Sequence, residues 1–233
     1  REQHANIKGK YLYYKNQKRP VVSSSQLRRN VHRLEKAMIM RPRRDHFASN
    51  YIAETIQIYE KAAHQFSEGE SPIDEEEVAW AQHVIEDYFA TVKKGNTVIE
   101  KARAKFAQIP SIMQIDNRKV PYASKQREAG RVRYAGFFLL FDLRRSLRWV
   151  LDKKVPRKKI DDALLAARQS PSACNRLPDE FRVFDEPELV KKIANIPFGT
   201  TGYAHNIPVI AVIVGKLDHY FSSRDRHAIY VDS

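Results

Sequence analysis

The first half of the chain has the periodicity of amphipathic helices. Between Leu27 and Met38, apolar residues recur at three- and four-residue spacing, with serines before the segment and Arg41-Pro42 after it. Further on, the carboxylates from Asp74 to Glu77 stand where the positive end of a helix dipole favours them. Four helices are predicted here, with the approximate extents 27–38, 47–66, 74–95 and 96–110.

The second half follows a different pattern. From 111 to 130 the helical period gives way to a polar stretch, which we interpret as an interdomain connection. Beyond it, the sequence predicts a buried helix over 134–143, a turn into extended chain over 144–150 and a helix from Val155-Pro156 to Arg168. Apolar runs predict strands at 181–184 and 209–214. We therefore expect an α+β fold, with a helical region and linker over 1–130 and a mixed domain over 131–233.

Composition narrows the class of protein. The 233 residues include 41 Lys and Arg against 28 Asp and Glu, a net charge of +13 that favours anionic partners. Basic residues exceed acidic ones in both halves rather than along one stripe, so we expect no nucleic-acid partner. The apolar runs are shorter than the roughly 20 residues of a membrane-spanning helix, so we expect no membrane partner either. The sequence contains one cysteine, Cys174, so an internal disulfide is excluded. Such sparse use of cysteine is typical of a cytoplasmic protein. We also predict no metal site.

The densest candidate chemistry is the arginine segment, residues 144–148, which reads Arg144-Arg145-Ser146-Leu147-Arg148. Guanidinium groups bind phosphate oxygens through paired, charge-assisted hydrogen bonds. In extended chain, residues 144, 146 and 148 project from one face. Taken alone, the segment is compatible with either an anion site or a solvated turn.

A second cluster follows about twenty-five residues later, Ala166-Ala-Arg-Gln-Ser-Pro-Ser-Ala-Cys-Asn175. The arginine segment, a helix introduced by Val-Pro, this cluster and then the strand Phe181-Arg-Val-Phe184 together resemble the FMN-dependent nitroreductase family. The resemblance covers about 100 residues, from Gly136 to the end of the sequence. It implies a nitroreductase-like mixed sheet flanked by helices, with the preceding helical part as an N-terminal extension.

The resemblance also implies a function. Arg144, Arg145, Ser146 and Arg148 would hold the FMN phosphate and ribityl chain. Pro171, Ser172, Ala173 and Asn175 would surround the flavin ring, commonly from the partner subunit of a homodimer. The protein would transfer hydride or electrons from NADH or NADPH, through FMN, to a nitro compound, quinone or related small-molecule acceptor. No side chain is predicted to be catalytic, because hydride transfer depends on stacking and alignment.

Two features depart from the family pattern. After Asn175 the chain reads Leu177-Pro178-Asp179, where many relatives have Gln-Pro-aromatic. The family pattern also continues beyond Ser233 into elements that enclose the flavin, so we expect either further residues after this point or loss of the cofactor.

The alternative is a non-catalytic interaction or scaffold protein with a degraded flavin domain. Its helical region would dock an acidic partner through basic residues of the first predicted helix, among them Arg28, Arg29 and Arg33. Such a row is also typical of a solvated helix face. A third reading keeps FMN for dehalogenation or flavin fragmentation, as other relatives of the fold do.

Overall fold

A computed structural model describes residues 1–17, 24–69, 73–111, 119–126, 130 and 132–232. Across these ranges the chain forms nine α-helices and one two-stranded sheet, in which β1 pairs with β2. The helices are α1 (Glu2–Gln17), α2 (Ser24–Ile39), α3 (Ile52–Ser67), α4 (Glu75–Thr91), α5 (Thr97–Phe106), α6 (Tyr134–Leu143), α7 (Arg157–Ala167), α8 (Pro187–Ala194) and α9 (Ala228–Asp232). The strands are β1 (Asp179–Phe184) and β2 (Ile210–Gly215). This arrangement is consistent with the expected α+β class.

The helix boundaries follow local signals in the sequence. Asp74 caps α4 through its carboxylate, which accepts from the Glu76 amide, and Asn96 caps α5 by accepting from the amides of Val98 and Ile99. The predicted helix at 47–66 is wrong at its start, because Ala48 has a left-handed backbone and α3 begins only at Ile52. Helices α1, α8 and α9 were not predicted. Part of the predicted interdomain connection, 112–118, 127–129 and 131, lies outside the described residues.

The chain divides into two compact units that are discontinuous in sequence. The first contains Arg1–Tyr122, Pro171–Pro178 and Gly215–Ser233, and the second contains Ala123–Ser170 and Asp179–Val214. The predicted division into 1–130 and 131–233 stays a prediction. In the structure, two short stretches from the C-terminal half cluster with the N-terminal helices.

The core of the first unit is formed by α2, α3, α4 and α5. Their apolar faces meet in one buried cluster, and α3 contacts both α4 and α5. Its largest fully buried side chains on these helices include Leu27, Leu34, Ile56, Tyr59, Ile85, Tyr88 and Ile99. Helix α1 lies against the turns Leu217–His219 and Ser223–His227, and α2 also contacts the turn Ala173–Asn175. The N-terminal helices therefore support part of the C-terminal half.

The second unit contains α6, α7, α8 and most of the sheet. Side chains of α7, including Ile160 and Leu164, face Val183 of β1 and Ala211 of β2 across a hollow of about 330 Å³. Thus α7 lies over one face of the sheet.

Helix α6 differs from its prediction. Its bounds are those expected, but it is exposed rather than buried: Leu140 is 67 % exposed and Phe141 62 %. Because apolar residues occupy all sides of α6, the hydrophobic pattern predicted burial. Within the described part of the chain, however, no element covers the helix.

No helix in these ranges combines the length and the apolar character that crossing a membrane requires.

Candidate flavin-binding residues

The arginine segment begins at the end of α6, where Arg144 has an extended conformation. Arg144 caps the C-terminus of α6 with φ −62° and ψ 125°, and its amide donates to the carbonyls of Leu140 and Phe141. From Arg144 to Val150 the backbone has no regular secondary structure, and every side chain is exposed. The extended chain predicted within 144–150 is observed at Arg144, and the residues after it have no regular secondary structure.

In the described part of the chain, no carboxylate neutralises the guanidinium groups of the arginine segment. Arg145 donates to the carbonyls of Asp142 and Arg144, and Arg148 makes only a 3.5 Å contact with the carbonyl of Ser146. Among the described residues, none of Arg144, Arg145 and Arg148 forms an ion pair. Three exposed cations with spare donors within five residues suit a phosphate dianion.

A side chain that sequence reasoning missed holds this backbone in place. The Asn206 amide accepts from the Val150 amide at 3.2 Å and donates to the Arg148 carbonyl at 2.7 Å. The neighbouring His205 lies edge-on to the Trp149 ring, with centroids 5.6 Å apart. Asn206 therefore acts on the arginine segment from nearly sixty residues away. Only its place just before a predicted strand hinted at a role.

The second cluster forms a loop of short side chains, Pro171–Pro178, called here the small-residue loop. It contains the turn Ala173–Asn175 and three non-glycine residues with left-handed backbones, Cys174 (φ 57°), Asn175 (φ 53°) and Leu177 (φ 45°). Each such residue is disfavoured by roughly 1–3 kcal/mol, so the conformation persists only where tertiary contacts maintain it. Strained backbone of this kind is concentrated at binding sites.

Hydrogen bonds hold the small-residue loop at several points. The Leu177 amide donates to the Ser172 hydroxyl at 2.9 Å, and the Ala173 amide donates to the Asp232 carboxylate at 2.8 Å. At its end, the Lys216 amide donates to the Pro178 carbonyl at 2.7 Å. The same Asp232 oxygen also accepts from the Tyr220 hydroxyl at 2.8 Å.

These contacts leave suitable groups available to a ligand. Ser172 accepts through its oxygen, so its hydroxyl proton can still be donated. The backbone amide of Asn175 donates to the Ser172 carbonyl at 2.9 Å, but its half-buried side-chain amide has no hydrogen bond to any described residue. The side chain of Ala173 is only a methyl group. A flat ring can approach closely where side chains are this short. The loop is therefore compatible with the expected flavin.

Arg176 is a second residue that sequence reasoning missed. Its side chain is 4 % exposed, and its Nε has no hydrogen-bond partner among the residues that the structure describes. The guanidinium lies 5.0 Å from the ring centroid of Tyr220 and 5.8 Å from that of Phe221. Burial lowers the pKa of the nearby Lys10, Asp225 opposes this shift, and the positive charge of Arg176 lowers the pKa further. The sequence could not reveal the contacts of Arg176 with Tyr220, Phe221 and Lys10, because these residues are far apart along the chain.

The basic face of α2 is not a solvated row. Arg28 pairs with Glu77 at 3.5 Å and lies over the Trp80 ring, and Arg33 lies 3.6 Å from the centroid of the Tyr51 ring. These arginines belong to the packing of the first unit, called here the helical unit. Reversing their charge would therefore destabilise the fold as well as weaken the binding of any acidic partner.

The two predicted groups of flavin contacts fall in different units. Arg144, Arg145, Ser146 and Arg148 belong to the second unit, and Pro171, Ser172, Ala173 and Asn175 belong to the first. The structure therefore describes each group by itself. That the two groups form one binding site stays a prediction.

Comparison with known proteins identifies one family. The model described as "Nitroreductase family" matches residues 143–202, a range that contains both the arginine segment and the small-residue loop. Neither the curated proteins nor the solved structures give a significant match. Residues 143–202, in the C-terminal part of the chain, thus match the Nitroreductase family, the family that their motifs resemble.

Proposed function

We propose that the protein is an FMN-dependent oxidoreductase. The observation that carries this proposal is the arginine segment. Its three exposed guanidiniums form no ion pair with a described residue, and they lie on backbone without regular secondary structure, inside the range that matches the family. The match to the nitroreductase family supports flavin oxidoreductase chemistry in general. The binding of FMN, the use of NAD(P)H and the class of acceptor are parts of the proposal.

In this proposal the arginine segment binds the phosphate and ribityl chain. Arg144, Arg145 and Arg148 supply the charge, Ser146 adds a hydroxyl donor, and Asn206 keeps the backbone extended through its two hydrogen bonds. Because the backbone is held before the ligand arrives, less conformational entropy is lost on binding.

The small-residue loop contributes the surface against the ring. Ala173 leaves room for close approach, while the Ser172 hydroxyl and the Asn175 amide hydrogen-bond the polar edge of the ring. Pro171 restricts the start of the loop. Leu177 replaces the amide that many relatives place near the flavin, so contacts to the acceptor differ on this side.

Bound FMN supplies transfer of hydride or electrons from NADH or NADPH to a nitro compound, quinone or related acceptor. The residues of this chain bind the cofactor and orient it. We assign no proton transfer to a side chain.

We also propose that the protein acts as a homodimer. Helix α6 exposes large apolar side chains along its length, and Leu147, Trp149 and Leu151 extend this surface beyond it, each more than 70 % exposed. A continuous apolar surface of this kind is typical of an interface rather than of a solvated face.

The first prediction tests cofactor binding. Replacing Arg148 or Arg144 by Ala removes a charge-assisted hydrogen bond worth roughly 1.5–3 kcal/mol, so the Kd for FMN should rise about ten- to a hundredfold. Quenching of flavin fluorescence on titration with the protein measures the Kd. The Lys variants, which keep the charge but lose the fork, should fall in between.

Arg157→Ala is the matched control, because Arg157 is an exposed arginine of the same unit whose partner is Asp161. It should bind FMN as the wild type does. A wild-type chain that neither binds FMN nor gains thermal stability from it would refute the proposed function.

A further inference from the structure

The small-residue loop is connected to the N-terminal helices through two aromatic residues. We propose that α1 and α2 position this loop, with Arg29 and Phe221 acting as positioning residues for FMN binding. The inference rests on the proposed function, since it assigns to the helical region the role of preparing that site.

The first link joins the loop to the segment Tyr220–Phe221. Arg176, inside the loop, places its guanidinium over both rings, at 5.0 Å and 5.8 Å. Asp232 receives the Ala173 amide and the Tyr220 hydroxyl on the same oxygen, each at 2.8 Å. The loop is therefore held to Tyr220 by one shared carboxylate and by one buried cation.

The second link joins Phe221 to the N-terminal helices. Arg29 of α2 lies over the Phe221 ring with its guanidinium carbon 5.0 Å from the centroid, and Tyr13 of α1 packs on the same ring at 6.1 Å. The Tyr14 hydroxyl approaches the Phe221 carbonyl at 3.5 Å. Two helices thus converge on one phenylalanine.

The ring of Phe221 is shared by two arginines. Neither Arg29 nor Arg176 forms an ion pair with a described carboxylate, so the aromatic faces supply their main electrostatic contact. The left-handed residues Cys174 and Asn175 lie directly before Arg176. Since a strained loop keeps its shape only where its surroundings restrain it, loss of the Phe221 contacts should release the segment that meets the flavin.

The test compares two arginines one turn apart on α2. In the full chain, Arg29→Met removes the cation from Phe221, whereas Arg33→Met removes a similar cation from Tyr51, a ring of the helical core. We expect Arg29→Met and Phe221→Leu to raise the Kd for FMN about fivefold or more. Arg33→Met should keep the Kd within about twofold, and Arg29→Lys should restore most of the affinity.

The thermal midpoint separates positioning from general stability, because both Met variants lose a packed arginine. If Arg29→Met and Arg33→Met lower the midpoint equally and neither changes the Kd, the arginines are only structural and the inference is wrong. If both raise the Kd equally, FMN affinity follows the stability of the helical unit, and the inference is again wrong.

Hydrogen exchange of the peptide covering 171–178 tests the link without any flavin. Exchange of this peptide should be faster in Arg29→Met than in wild type and unchanged in Arg33→Met. If the wild type does not bind FMN but this difference appears, the proposed function fails while the connection of the loop to α2 stands. If FMN binds and the exchange rates are equal, the positioning inference alone is refuted.

Discussion

Tyr59 and Tyr88 are almost completely buried in the helical unit, and each places its hydroxyl on a specific acceptor. Tyr59 donates to the Gln82 side chain at 3.1 Å, and Tyr88 donates to the Phe47 carbonyl at 2.8 Å. Burial raises the pKa of both phenols well above the ordinary value of 10.0, with a further rise at Tyr59 from the charge of Glu86. Both rings therefore stay neutral in the folded chain at pH values where an exposed phenol ionises.

These shifts predict alkaline sensitivity. The unfolded chain loses phenolic protons above about pH 10, while the folded chain retains them, so the free energy of unfolding should decrease as the pH rises beyond that value. Tyr59→Phe removes one such group. At neutral pH it should cost about 1 kcal/mol through the lost hydrogen bond, and between pH 10 and 11 its stability should fall less steeply than that of the wild type.

Chemical denaturation of the two proteins from pH 7 to pH 11 measures this difference. Tyr122→Phe provides the control, because Tyr122 is 64 % exposed and its removal should alter neither the slope nor the neutral stability. If the free energy of unfolding decreases equally steeply with pH in the wild type and in Tyr59→Phe above pH 10, the buried phenol does not contribute to the alkaline sensitivity.

At the scale of single residues, the sequence identified those whose role is local. The caps Asp74 and Asn96 act within three residues of themselves, and they lie at the starts of the helices predicted at 74–95 and 96–110. The burial of Arg176 and the bonds of Asn206 and Asp232 could not be predicted, because each depends on partners brought together by the fold.

Among the elements, helices with one apolar face were predicted most reliably. The apolar stripe of α2 faces the core of the helical unit, and its bounds agree with the predicted helix to within a few residues. The amphipathic α8 was missed, although Glu186 caps it by accepting from the amides of Glu188 and Leu189. Helix α6 shows the converse error: apolar composition predicts a helix, but not what covers it.

The cap of α5 offers a test at this scale. Asn96→Ala leaves the amides of Val98 and Ile99 without their side-chain acceptor, so the free energy of unfolding should fall by about 1 kcal/mol. Urea denaturation measures the loss. Asn96→Asp keeps an acceptor and adds a charge favourable to the helix dipole, so it should be at least as stable as the wild type. An Ala variant of unchanged stability would show that water satisfies these amides equally well.

For the whole molecule, the exposed surface of α6 predicts association. Phe137→Glu combined with Leu140→Glu places two charges within this apolar surface, so a homodimer should dissociate to a monomer through the cost of burying them. Sedimentation equilibrium measures the mass. Leu165→Glu is the control, because Leu165 is a 59 % exposed leucine on α7, and this variant should remain dimeric. A wild-type protein that is monomeric at all concentrations would contradict the proposed homodimer.

By itself, the sequence determined what depends on near neighbours: the helical character of the first part, the two strands, the caps, and the motifs that match the Nitroreductase family over 143–202. Only the tertiary structure decided that Pro171–Pro178 and Gly215–Ser233 cluster with the N-terminal helices and that Phe221 joins α1 and α2 to the small-residue loop. The physical reason is range: backbone hydrogen bonding and side-chain periodicity act over a few residues, whereas a shared carboxylate or a cation over a ring requires groups that meet only after folding.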